Sequence, residues 1–145
     1  MRSVGPSSVD NMNRRKLEAL AEAVVAYSGY LQPDSALHAA RNPGGLKALG
    51  ATQSRDDKGN RTFRSVLDGY QALLYDVELK VAGIMKDGVL QRSRARLTPD
   101  HTLMDLSAAY NLPITTASAW SRFLRQALSD STISAKTPLS YFLES

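Results

Sequence analysis

From Val66 onward, apolar side chains return at the spacing of one helical face: Val66, Tyr70, Leu73, Leu74, Val77, Val81 and Ile84. A stripe of that length must be covered by other parts of the chain, because each Leu or Val taken out of water contributes ~1.5–3 kcal/mol. Ser65 and Asp68 have the spacing of a capping box, which sets the start of the helix. Asp76 and Lys80, four residues apart, are expected to pair on its outer side. The segment is therefore expected to be the central core helix, around which everything else is arranged.

A second stripe, Leu17, Leu20, Ala21, Val24, Val25 and Ser28, predicts a helix from Lys16 to Tyr27, with Glu18 and Glu22 on the solvated side. Gly29 and Pro33 end it. Residues 1–13 read as a flexible leader that offers Asp10, Asn11 or Asn13 as a cap, so the folded domain is expected over residues 14–145. Thr102 and Asp105 repeat the cap spacing and open a short helix to about Tyr110, after which Pro113 interrupts. Thr115 or Thr116 caps a helix whose apolar face is Trp120, Phe123, Leu124, Ala127 and Leu128, and Pro138 begins a last short helix. Between residues 46 and 63 the helical period is lost, and Asp56-Asp57-Lys58-Gly59-Asn60 separates two short segments, which predicts a small hairpin there. The sum is an α+β, mainly helical single domain with a small β-hairpin beside a cleft.

A chain of 145 residues, 43% of them hydrophobic, suffices for one such domain with a modest core. With no cysteine, and only His38 and His101 as imidazoles, neither a thiolate nor a His-rich metal site is expected, and no cofactor is. No stretch approaches the ~18 apolar residues of a membrane span, and residues 1–13 lack the apolar segment of a secretory signal. The chain is expected to be soluble, with its compartment left open. The net charge of +4 favours anionic partners, but the basic residues are scattered. Their nearest approach to a cluster, Arg92, Arg94 and Arg96, reads as a solvated loop, so no specific nucleic-acid partner is expected.

The candidate site lies where the Lys16–Tyr27 helix runs into Ser28-Gly29-Tyr30 and then, a dozen residues on, into Asn42-Pro43-Gly44-Gly45. Pro supplies a fixed φ and Gly can take a positive one, so this turn can hold its backbone stiffly and let a flat ligand approach closely. Tyr30, Asp34, Asn42, Gly44, Gly45 and Tyr110 are the candidate ligand contacts. Trp120 falls on a helical stripe and reads as core. Ser28 is a poor proton donor near neutrality, since an aliphatic hydroxyl without a base offers only hydrogen bonds. A Ser-His-acid triad drawn from His38 or His101 and Asp34 or Asp100 lacks the glycine pattern of a nucleophile elbow around any Ser.

Ser28-Gly29-Tyr30, Arg41-Asn42-Pro43-Gly44-Gly45-Leu46-Lys47, Phe63-Arg64-Ser65 with Asp68-Gly69-Tyr70-Gln71-Ala72-Leu73, and Thr102-Leu103 with Tyr110 together resemble a lysozyme-like domain family of bacterial and phage proteins. The pattern of that family is approximately Glu-Gly-aromatic, Asn-Asn-Pro-Gly-Asn-Leu-Arg and Phe-x-Ser-x-x-Glu-Gly-x-x-Ala-Leu. The resemblance spans roughly residues 17–128. Such domains look related to lytic transglycosylases and goose-type lysozymes, which cleave the glycan strand of peptidoglycan with a helix-terminal Glu as general acid and base. Carried over by position, that Glu falls on Ser28, while Arg41 and Gly45 stand where the family has Asn. The resemblance thus implies a peptidoglycan partner and little or no glycosidase turnover by this chain. A non-enzymatic structural or interaction module, such as a virion component or a cell-envelope binding domain, is the competing expectation.

Overall fold

The stripe that begins after Ser65 folds, in a computed structural model describing residues 6–93, 96–113 and 115–144, as a helix α3, Val66–Val81, with Leu73, Leu74, Val77 and Val81 buried. Ser65 caps it, its hydroxyl accepting the Asp68 N–H at 3.1 Å. Before it come α1, Pro6–Tyr27, and a single turn α2, Ala36–Ala39. After it follow the strands β1, Ile84–Lys86, and β2, Val89–Gln91, then α4, Leu103–Ala109, α5, Thr116–Ala127, and a 3-10 helix, Leu139–Leu143. The protein is mainly helical with one small antiparallel hairpin.

Helix α1 extends ahead of Arg14 into the segment expected to be a flexible leader, so Asp10, Asn11 and Asn13 lie within it rather than capping it. Residues 1–5 of that expected leader, and Arg94 of the basic loop, lie outside the described residues. The named hairpin is also not where the sequence placed it. Residues 46–63 pair only through isolated bridges, Lys47 with Asn60 and Arg55 with Arg61. The regular strands are β1 and β2, and Ile84, expected to continue the α3 stripe, belongs to β1. The reason is local: Asp87 and Gly88, with φ of 53° and 79°, form a two-residue turn of the primed type that matches strand twist.

The core sits where α1, α3, α4, α5 and the terminal 3-10 helix meet, with Leu20, Val24, Leu73, Val77, Leu106, Trp120, Leu124 and Phe142 fully enclosed. Trp120 is core, as its helical spacing implied. The terminal 3-10 helix is pinned by Leu139 and Phe142 inside, and by Lys16, whose ammonium donates to the Tyr141 carbonyl at 3.0 Å and lies 4.0 Å above that ring.

The Tyr141 hydroxyl donates to the Asp130 carboxylate at 2.7 Å. Burial and then this carboxylate raise the Tyr141 phenol from 10.0 to about 12. The folded state thus favours the neutral phenol. Its contribution to stability is complete below the unfolded value near 10.0 and is lost as the pH climbs through about 12. Thermal melting between those pH values is expected to fall less steeply for Tyr141→Phe than for the unaltered protein; parallel curves would contradict the assignment.

Candidate functional site

Helix α1 ends in a hydrogen-bonded knot centred on Ser28. Gly29 takes a φ of 94°, which turns the chain out of the helix and lets the Tyr30 N–H donate back to Ser28 Oγ at 3.1 Å. The same hydroxyl has the Pro43 carbonyl at 2.8 Å and the Val25 carbonyl at 3.1 Å as acceptors for its single proton. Ser28 therefore joins the end of the helix to the Asn-Pro-Gly-Gly turn. Its neighbours are backbone groups, and neither imidazole bonds it: His38 Nδ1 lies 3.1 Å from the Tyr30 carbonyl, and His101 Nδ1 accepts from the Thr98 N–H at 2.9 Å. An activated serine nucleophile has no base here.

The turn is built on Asn42, which is fully buried. Its amide nitrogen donates to the carbonyls of Leu46 and Arg61 at 2.8 and 2.9 Å, and its Oδ1 accepts the Leu46 N–H at 3.0 Å. The side chain closes the turn upon itself and ties it to the bridged loop, so Asn42 shapes the site from within instead of facing a ligand. Gly44 is buried against Leu73 of α3, where a Cβ would meet the leucine side chain at 2.4 Å. Gly45, with a φ of 69°, stands where most side chains would be strained. Gly69, in the first turns of α3, lets that helix come down on the same turn: a Cβ there would lie 2.3 Å from the Arg41 carbonyl oxygen and 2.8 Å from Pro43 Cδ.

Ser28, Tyr30, Asn42, Gly44 and Gly45 are thus brought together through the end of α1 and the turn. Tyr30 stacks on His38 with ring centroids 5.1 Å apart. Asp34 is exposed in the loop ahead of α2. Tyr110, expected to contact a ligand, instead packs edge-to-face with Trp120, with centroids 6.4 Å apart, and donates its hydroxyl to Asp76 at 2.7 Å. Desolvation and then the Asp76 charge hold its phenol well above the usual tyrosine range. Asp76 in turn bonds Lys80 at 2.5 Å, so the expected pair forms, but with Lys80 lying 4.6 Å from the Tyr110 ring centroid and both partners largely shielded from water.

An open groove of about 320 Å³ runs beside this knot, between α1 and the start of α3, lined by Glu22, Val25, Tyr30, Pro43, Val66, Leu67 and Tyr70. Its walls are apolar apart from Glu22 and the tyrosine hydroxyls. Glu22, on the solvated side of α1, is exposed, yet it supplies the groove's only carboxylate among the described residues. Tyr70, read as core stripe, is partly open to this groove, and burial together with the Glu22 and Glu18 charges raises its phenol above its ordinary value. The detectable signal was the i, i+3 spacing of Glu22 and Val25, which puts a carboxylate at the edge of an apolar face.

No group of three or more His, Cys, Asp or Glu side chains among the described residues could hold a metal ion. No described helix is long and apolar enough to cross a membrane. Comparison with protein-family models, curated proteins and solved structures gives no match.

Proposed function

We propose that this protein is a peptidoglycan-directed module of lysozyme-like type that holds a glycan strand beside the end of α1 and turns it over little or not at all. The observation that carries the reading is the direct bond from the Ser28 hydroxyl to the Pro43 carbonyl at 2.8 Å, which couples two of the motifs on which the resemblance rests. A glycosidic acid would have to protonate a leaving oxygen, and a hydroxyl engaged with backbone carbonyls offers no such proton.

Two further features support the same reading. Arg41 and Gly45, the positions where the family pattern has Asn, both take left-handed conformations, with φ of 54° and 69°. Asn is, after Gly, among the residues that tolerate this region best, so the pattern and the backbone agree physically even where the residues differ. The groove formed by Tyr30, Tyr70 and Pro43, with Glu22 at its rim, suits a sugar ring: flat apolar faces for its C–H side and one acceptor for its hydroxyls.

The competing reading, a non-enzymatic structural or interaction module, draws on the saturation of Ser28 by backbone partners. Retention on intact, insoluble peptidoglycan separates the two. Specific retention is expected, competed by soluble glycan fragments; passage straight through, together with a stable homo-oligomer, would favour the structural module.

A further inference from the structure

On the other side of Gly69 from the Ser28 knot lies a second, polar groove of about 390 Å³, bounded by residues 52–54, residues 61–64 and the first turns of α3. Its chemistry differs from that of the apolar groove. Arg61 and Arg64 line it, and among the described residues neither guanidinium has a carboxylate within ion-pairing distance. The Arg61 guanidinium carbon lies 4.7 Å from the Phe63 ring centroid, within cation–π range. A guanidinium carries the N–H fork that bonds a carboxylate in bidentate fashion. Gln53 Oε1 accepts the Leu49 N–H at 2.7 Å, which orients its amide and leaves the NH₂ end available. Gln71 adds a second amide, and Asp68 one carboxylate.

Two unpaired guanidiniums ask for negative charge, and the single acid in the same groove asks for N–H donors. A simple anion satisfies the first and is repelled by the second. A nucleic-acid strand, uniformly anionic, meets the same objection. A short peptide carrying carboxylates satisfies both, with its acids on Arg61 and Arg64, its backbone N–H on Asp68 and its carbonyls on the glutamine amides. We propose that this groove is a binding site for an acidic peptide segment, independent of any glycan bound near Ser28.

The test is a titration of the full chain, followed by amide chemical shifts, with the sugar-free tripeptide acetyl-Ala-Glu-Ala bearing both carboxylates, with its neutral counterpart acetyl-Ala-Gln-Ala-amide, and with inorganic phosphate. The acidic peptide is expected to bind and to shift the signals of residues 52–54, 61–64 and 71, the neutral one to bind at least ~10-fold more weakly, and phosphate to bind more weakly than the acidic peptide. In R61Q/R64Q the acidic peptide is expected to lose at least ~10-fold in affinity. Should that pair disturb the fold, Arg64→Gln alone, at an exposed position, is expected to give a smaller loss in the same direction. Equal binding of the acidic and neutral peptides, tighter binding of phosphate, no binding at millimolar peptide, or an affinity unchanged in the folded arginine variants would overturn the proposal. Because the probe contains no sugar, none of these results depends on whether peptidoglycan glycan is retained.

Discussion

Replacing Asn42 by alanine is expected to destabilise the protein by about 3–5 kcal/mol, although the residue sits in a turn. Three hydrogen bonds end on its side chain, all to backbone. The Leu46 carbonyl would keep a partner, since it also accepts the Arg61 N–H at 3.0 Å. The Leu46 N–H and the Arg61 carbonyl would be left without one, and a buried backbone group stripped of its partner costs about 1–3 kcal/mol. Asparagine to aspartate is the sharper experiment. It preserves the acceptor toward the Leu46 N–H but turns the donor that served two carbonyls into an anionic oxygen facing them. At neutral pH Asn42→Asp is expected to be at least as destabilised as Asn42→Ala. Its stability should recover as the pH falls and the introduced acid takes up a proton, because a carboxyl group buried against carbonyl oxygens binds protons more tightly in the fold than in the unfolded chain. Denaturant melts of both variants across acidic and neutral pH check this; a stable alanine variant, or an aspartate variant indifferent to pH, would show that the turn does not depend on Asn42.

Gly69→Ala is expected to lower stability by about 2 kcal/mol against the trend for its position. Inside a helix the exchange of glycine for alanine normally gains about 1 kcal/mol. Here the added methyl would sit 2.3 Å from the Arg41 carbonyl oxygen and 2.8 Å from Pro43 Cδ, neither of them the end of a flexible side chain. Relief therefore requires α3 to lift from the turn, and overpacking of that kind costs about 1–3 kcal/mol, occasionally more. The upper part of that range, less the helical gain, leaves a net loss. Because α3 also forms one wall of each groove through Tyr70 and Gln71, the substitution is expected to weaken ligand retention even below its melting temperature. A raised melting temperature would mean that helix propensity outweighs the contact and that the turn yields easily.

The helical framework was legible because burial on α1, α3 and α5 follows a period the chain cannot disguise: Leu20 and Val24, Leu73 and Val77, Trp120 and Leu124 all repeat at one turn and all are enclosed. The hairpin was harder. Ile84 continues the α3 stripe in spacing, yet Gly83 with a φ of 77° intervenes, and Asp87-Gly88 carries the turn signal that outweighs it. Conversely, residues 46–63 contain a turn sequence but only isolated bridges, because the Asn42 side chain and the Arg61 and Phe63 backbones fasten the loop to the turn instead of to a long partner strand.

At the site, the nearness of the α1 end and the Asn-Pro-Gly-Gly turn was legible in the sequence, but the bond from Ser28 to the Pro43 carbonyl was not. The inward role of Asn42 was not, since a turn asparagine that bonds its own backbone and one that bonds a ligand look alike in sequence. Tyr110 went the other way, into a contact with Asp76 some 34 residues earlier, which only the tertiary fold creates. Glu22 and the two unpaired arginines acquire meaning only when α1 and the bridged loop stand on either side of α3.

Release of soluble muropeptides from purified peptidoglycan, measured side by side for the unaltered protein and Ser28→Glu, bears most directly on the claim that a glycan-binding pocket persists here without its proton donor. The unaltered chain is expected to release none above buffer, and the glutamate variant to release measurable product by placing an acid at the end of α1. Robust release by the unaltered chain would contradict that claim.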